Sequence, residues 1–102
     1  MTHTPDRWVV VRLSGEAGTV DKVMSGWSGG YLHGDSWRLN SGISQIEEKE
    51  DRWLVTGPNG TEYELRKGSE GTTGLMASIL SGFEKTGVAV EVVDIADARL
   101  LA

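Results

Sequence analysis

Gly34-Asp35-Ser36-Trp37-Arg38-Leu39-Asn40-Ser41-Gly42 and Gly60-Thr61-Glu62-Tyr63-Glu64-Leu65-Arg66-Lys67-Gly68 are two versions of one pattern. Each runs from a glycine through two polar residues, an aromatic, a charged residue, a leucine and two polar residues to a second glycine. Side chains alternate across a strand, so the aromatic and the leucine share one face and the charged residue between them takes the other. Each copy therefore reads as a short strand with one buried face, bracketed by glycines that let the chain turn. The two ribbons are expected to lie side by side with their rings turned inward.

Between the copies, Ile43 to Glu48 reads as a strand, although Ile43 and Ile46 fall on opposite faces of a regular one. Either both faces are partly covered or a bulge intervenes. Glu48-Lys49-Glu50-Asp51 makes a charged turn into a strand at Trp53–Thr56. Gly57-Pro58-Asn59-Gly60 then closes a hairpin: Pro58 presets the first turn position, Asn59 tolerates the next, and Gly60 takes a positive φ.

Upstream, Met1 to Asp6 is a polar lead expected to be loose. Arg7-Trp8-Val9-Val10-Val11-Arg12-Leu13 is a strand by length and β-branched content. Ser14 to Gly18 turns, and Thr19 to Ser25 returns. Gly26 to Gly34 holds four glycines in nine residues, so a loop or bulged connection is expected, folding Trp27 and Tyr31 against the sheet. Downstream, Gly68 to Gly71 breaks the sheet. Thr72 or Thr73 caps a helix over about 73–86, whose apolar stripe is Leu75, Met76, Ile79, Leu80 and Phe83. Gly87 stops it, and Val88 to Val93 is the last strand. Asp94 to Ala102 either forms a short helix capped by Asp94 or continues the strand. The fold class is α+β: one domain over 1–102, an antiparallel sheet of five to seven strands in hairpin or meander order, with one amphipathic helix on one face.

The acidic balance, a net charge of −5, is spread along the chain without any basic run. Direct nucleic-acid binding is not expected, because that affinity comes from Lys and Arg displacing counterions. An acidic surface fits a partner protein with a basic surface. With no cysteine there is no disulfide framework and no thiolate metal site, and no apolar run reaches membrane-spanning length. The expected compartment is cytoplasmic.

No motif identifies a chemistry. His33, Asp35 and Ser36 have the residue types of a hydrolase triad, but they lie almost consecutively, and a polar turn entering a strand is much the better explanation. Gly26-Trp27-Ser28-Gly29-Gly30 has the Gly-x-Ser-x-Gly spacing of a nucleophile elbow, but it does not open a convincing helix, the context that elbow requires. The same glycines lack the spacing of a dinucleotide loop and the Lys-Ser/Thr pair of a Walker loop. The two histidines and scattered carboxylates do not reach a metal-site spacing. Catalytic residues, metal ligands and cofactor are therefore all expected to be none. Aromatics are the remaining signal, since tryptophan and tyrosine anchor binding surfaces as well as cores. The expected partner contacts are Trp27, Tyr31, Trp37 and the acidic tip Glu47, Glu48, Glu50 and Asp51.

The stretch Gly26-Trp27-Ser28-Gly29-Gly30-Tyr31, followed by Gly34-Asp35-Ser36-Trp37-Arg38-Leu39-Asn40-Ser41-Gly42-Ile43, resembles a pattern in short uncharacterised proteins of phages and other mobile elements. The resemblance covers less than a fifth of the chain and supplies no catalytic residue or cofactor. It implies an accessory protein acting on a host or viral component in a bacterial cytoplasm. Some such proteins inhibit defence systems, CRISPR effectors among them. The function expected is thus a small non-enzymatic protein-binding domain, with inhibition of a host defence or nucleic-acid-handling complex as its expected role. Alternatives are a sugar- or nucleotide-binding module with a deep apolar pocket beside Trp27 and Tyr31, a hydrolase using His33 and Asp35, and a homodimer joined through an edge strand.

Overall fold

The structure, a computed structural model, describes residues 2–30 and 34–101. Its strands are β1 (Thr2–His3), β2 (Arg7–Gly15), β3 (Gly18–Gly30), β4 (Gly34–Leu39), β5 (Gln45–Glu48), β6 (Arg52–Thr56), β7 (Glu62–Arg66) and β8 (Ala89–Val93). One α-helix, α1 (Gly74–Lys85), lies between β7 and β8. The strands form two four-stranded sheets, an inner one in the order β4-β3-β2-β8 and an outer one in the order β1-β7-β6-β5. All pairings are antiparallel except that of β1 with β7.

The valine run of β2 explains the layering. Trp8 and Val10 point one way and meet Val23, Val55, Tyr63 and Leu65 in a core between the two sheets. Val9 and Val11 point the other way and join Met24, Met76 and Leu80 beneath the helix. A strand covered on both faces needs apolar residues at consecutive positions, which is what Trp8 to Val11 provide. Each fully buried side chain of this size contributes roughly 1.5–3 kcal/mol. Trp8 also ties the sheets together by a polar contact, its indole Nε1 donating to the Arg66 carbonyl at 2.7 Å.

Helix α1 begins where its cap allows. Thr73 Oγ1 accepts the Met76 amide at 3.1 Å, and the Thr73 amide points at Met76 Sδ at 3.4 Å. Met76 then lies over Gly26 of β3, where a Cβ would collide with its thioether. That close approach accounts for one of the glycines in a stretch expected to be a loop. The expected bulge is present, as a register shift between Trp27 and Gly30 in the pairing of β3 with β4.

Both copies of the repeated pattern are strands, β4 and β7, but they do not lie side by side. β4 pairs with β3, and β7 pairs with β6 and β1. The same alternation meets two different apolar surfaces: Tyr63 and Leu65 enter the core between the sheets, whereas Trp37 and Leu39 turn to the helix side of the inner sheet. The expected single sheet is accordingly divided in two, with one more strand than the upper expectation. Ile43 and Ile46 both reach the inter-sheet core, because β5 starts only at Gln45 and leaves Ile43 outside its alternation. The lead expected to be loose is anchored: Thr2 and His3 pair with Glu62 and Tyr63, and Pro5 is buried. After β8, Asp94 caps a single 3₁₀ turn, Ile95–Asp97, by accepting the Ala96 amide at 2.9 Å.

Candidate interaction surface

β4 is the last strand on one side of the inner sheet, and no other described strand pairs with its outer edge. Register decides what it displays. Trp37 stands opposite Gly26 and Leu39 opposite Met24, so both take the helix side; Ser36 and Arg38, opposite Trp27 and Ser25, take the side of the outer sheet. Gly26 has yielded its space to Met76, and the Trp37 ring sits at the rim, edge-on to Phe83 with centroids 6.4 Å apart. At 38% exposure Trp37 is the most exposed tryptophan in the protein.

Trp27 does something else. It faces the outer sheet, half-buried, with its indole Nε1 donating to the Thr4 carbonyl at 3.2 Å. Its ring meets the edge of His3, which stacks at a tilt on Tyr63, 5.3 Å between centroids. Trp27 therefore holds the N-terminal lead in place and does not share a face with Trp37. Burial, and then the positive charge of Arg38, push the His3 imidazole below its ordinary range, so it is neutral at pH 7. Tyr31 lies outside the described residues, and so does His33, on which the hydrolase alternative depends.

The acidic tip belongs to the outer sheet, a layer away from the Trp37 face. Its charges are largely offset. Glu47 pairs with Lys49 at 3.1 Å, Glu48 with Lys67 at 2.6 Å and Asp51 with Arg52 at 2.8 Å. Lys67 also lies over the Trp53 ring, 5.2 Å from its centroid. A tip compensated in this way presents a weak field to a basic partner. The expected contacts are thus not assembled into one surface: Trp37 is displayed, Trp27 is packed, and the tip is locally neutralised.

The sequence reading missed a small cleft of about 90 Å³ between the end of β4 and the β6–β7 turn. Arg38 to Ser41 form one wall; Gly57 to Asn59, Thr61 and Tyr63 form the other. Both walls are fixed by hydrogen bonds. Asn40 Oδ1 accepts the Val23 and Gly42 amides at 2.9 and 3.2 Å, and its Nδ2 donates to the Gly42 carbonyl at 2.8 Å. Across the cleft the Gly57 amide donates to the Thr61 carbonyl at 2.8 Å, and Gly60 closes the turn at φ +81°. The turn was legible in the sequence, as was the strand end; their meeting was not. This cleft is small and polar, unlike the deep apolar pocket beside Trp27 that a sugar or base module needs.

Among the described residues no group of three or more His, Asp or Glu is placed to hold a metal ion, and no helix is long and apolar enough to cross a membrane. No family model, curated protein or solved structure matches the chain.

Proposed function

We propose that this protein is a small non-enzymatic binding domain that docks a partner protein along the outer edge of β4, with Trp37 as the anchor. The observation that carries this reading is an exposed tryptophan on a strand whose outer edge meets no described strand. Unpaired backbone at a sheet edge is a template for an added strand, and proteins usually block it with lysine, proline or inward charge. β4 carries neither lysine nor proline. β8, at the opposite side of the same sheet, exposes Val92, but tryptophan is enriched at binding hot spots and valine is depleted. The mobile-element resemblance makes a host defence or nucleic-acid-handling complex the partner class to screen first, with inhibition by occupancy as the mode of action.

The test uses the full chain as bait in a bacterial host lysate, with Trp37→Ala in parallel and thermal unfolding to verify both folds. Partner affinity should fall at least about 30-fold in the variant, the loss of a hot-spot side chain. A partner bound equally by both proteins would place the interface elsewhere. A wild-type protein that only self-associates through this edge would replace the partner with a second copy.

A further inference from the structure

We propose that the cleft beside Arg38 is a carboxylate-binding pocket that receives one acidic side chain of the strand docked along β4. The proposal rests on the β4-docking reading and names the chemistry of its partner.

Three observations converge. First, the side chains of Arg38, Ser41, Asn59, Thr61 and Tyr63 border the cleft, and none makes a hydrogen bond to a described residue. They supply a guanidinium fork, an amide and three hydroxyls, a set rich in donors. No aspartate or glutamate lines the cleft. Such a set favours an anionic acceptor over a cation. Second, the size is right. At about 90 Å³ the cleft has room for several waters and so for a carboxylate group, and it lies well below the roughly 300 Å³ at which small-molecule pockets begin.

Third, Arg38 follows Trp37 in the same strand, and the two point to opposite faces of the inner sheet. A strand added to β4 alternates in the same way. Its residues on the helix side meet Trp37 and Phe83, and those on the other side meet Ser36 and Arg38. The partner segment is therefore extended, apolar at every second position on one face, and acidic at one position on the other. The net charge of −5 repels a polyacidic strand, so neutral or basic residues flank that single acid.

The experiment is an amide and side-chain NMR titration of the full chain. Two eight-residue peptides alternate valine with lysine and differ only at one central position, glutamate in one and glutamine in the other. Sodium acetate and sodium chloride at equal ionic strength are the remaining arms. The glutamate peptide should bind at least about tenfold tighter, shifting the Arg38 Nε–H, Asn59 and Thr61 signals. Arg38→Gln should erase that preference while the Trp37-dependent binding of the glutamine peptide persists. Equal binding of both peptides, or a preference that survives Arg38→Gln, overturns the pocket and leaves β4 docking intact. Failure of both peptides to bind overturns the docking reading and the pocket's proposed occupant together. In that case, acetate-specific shifts at Arg38, absent with chloride, identify a free small carboxylate as the ligand.

Discussion

Arg12 and Asp21 form a two-pronged ion pair across β2 and β3, Nε to Oδ1 at 2.8 Å and Nη2 to Oδ2 at 2.9 Å. Asp21 is buried, and its Oδ2 also accepts the Arg99 amide at 2.7 Å, while Arg12 reaches the Asp97 carbonyl at 3.2 Å. One carboxylate thus fastens the C-terminal segment to the inner sheet.

Burial raises the Asp21 pKa, but the hydrogen bonds from Arg12 and from the Arg99 amide overcome it and hold the carboxyl below its ordinary value. A depressed folded pKa contributes stability that is present above the unfolded value of about 4 and is lost as pH falls through the folded value. Urea unfolding of the wild type should therefore weaken below about pH 4. Asp21→Asn should be less stable at pH 7 and should lack that part of the acid dependence. Asp21→Ala, which leaves three donors without their acceptor, should cost about 3 kcal/mol at pH 7. Identical acid limbs for wild type and Asp21→Asn would refute the assignment.

Gly26→Ala should destabilise the protein by roughly 1–3 kcal/mol, because the new methyl group meets a Met76 side chain that is pinned against the Thr73 cap. Combined with Met76→Ala, which alone should cost about 2–5 kcal/mol, the loss should be smaller than the sum. Strict additivity in denaturant melts would show that the two positions do not meet.

Trp8→Phe keeps most of the apolar volume but removes the indole donor to the Arg66 carbonyl. The expected cost is about 1–3 kcal/mol, from the unmet acceptor and the lost ring area. Amide exchange should speed up in β7 as well as β2, since this contact spans the sheets. An effect confined to β2 would count against the cross-sheet role.

Glu48→Lys should change stability by no more than about 1 kcal/mol, since the Glu48–Lys67 pair is solvent-exposed. It should also leave partner affinity within about threefold of wild type if the tip stands outside the interface, in contrast to Trp37→Ala. A loss equal to that of Trp37→Ala in the capture assay would bring the tip back into the contact surface.

Much of the fold is legible where local chemistry decides it. The stripe from Leu75 to Phe83, the Thr73 cap and the Gly57–Gly60 turn each carry their own geometry. What the residues do not state is which surface a strand face will meet. Alternation gives Trp37 and Leu39 one face and Tyr63 and Leu65 one face, yet the first pair meets the helix and the second meets another sheet. The two tryptophans of the candidate site show the same limit. Trp27 and Trp37 look equivalent in sequence, but the register pairs Trp37 with Gly26 and so sends the rings to opposite sides. The Arg38 cleft needs two turns some twenty positions apart to converge, which no local pattern encodes.

The pairing of Val10 with Val93 and of Thr2 with Glu62 has a kinetic consequence. The strand at the molecular centre leaves the ribosome well before its second neighbour, β8. Hairpins β2–β3 and β6–β7 join nearby residues and are free to form on the ribosome, but the edge of β2 from Val10 to Ser14 stays unpaired until β8 arrives. A nascent chain halted before Ala89 should therefore present the open Val10–Ser14 edge to chaperones, and release should be followed by a slow closing step that truncated hairpins lack.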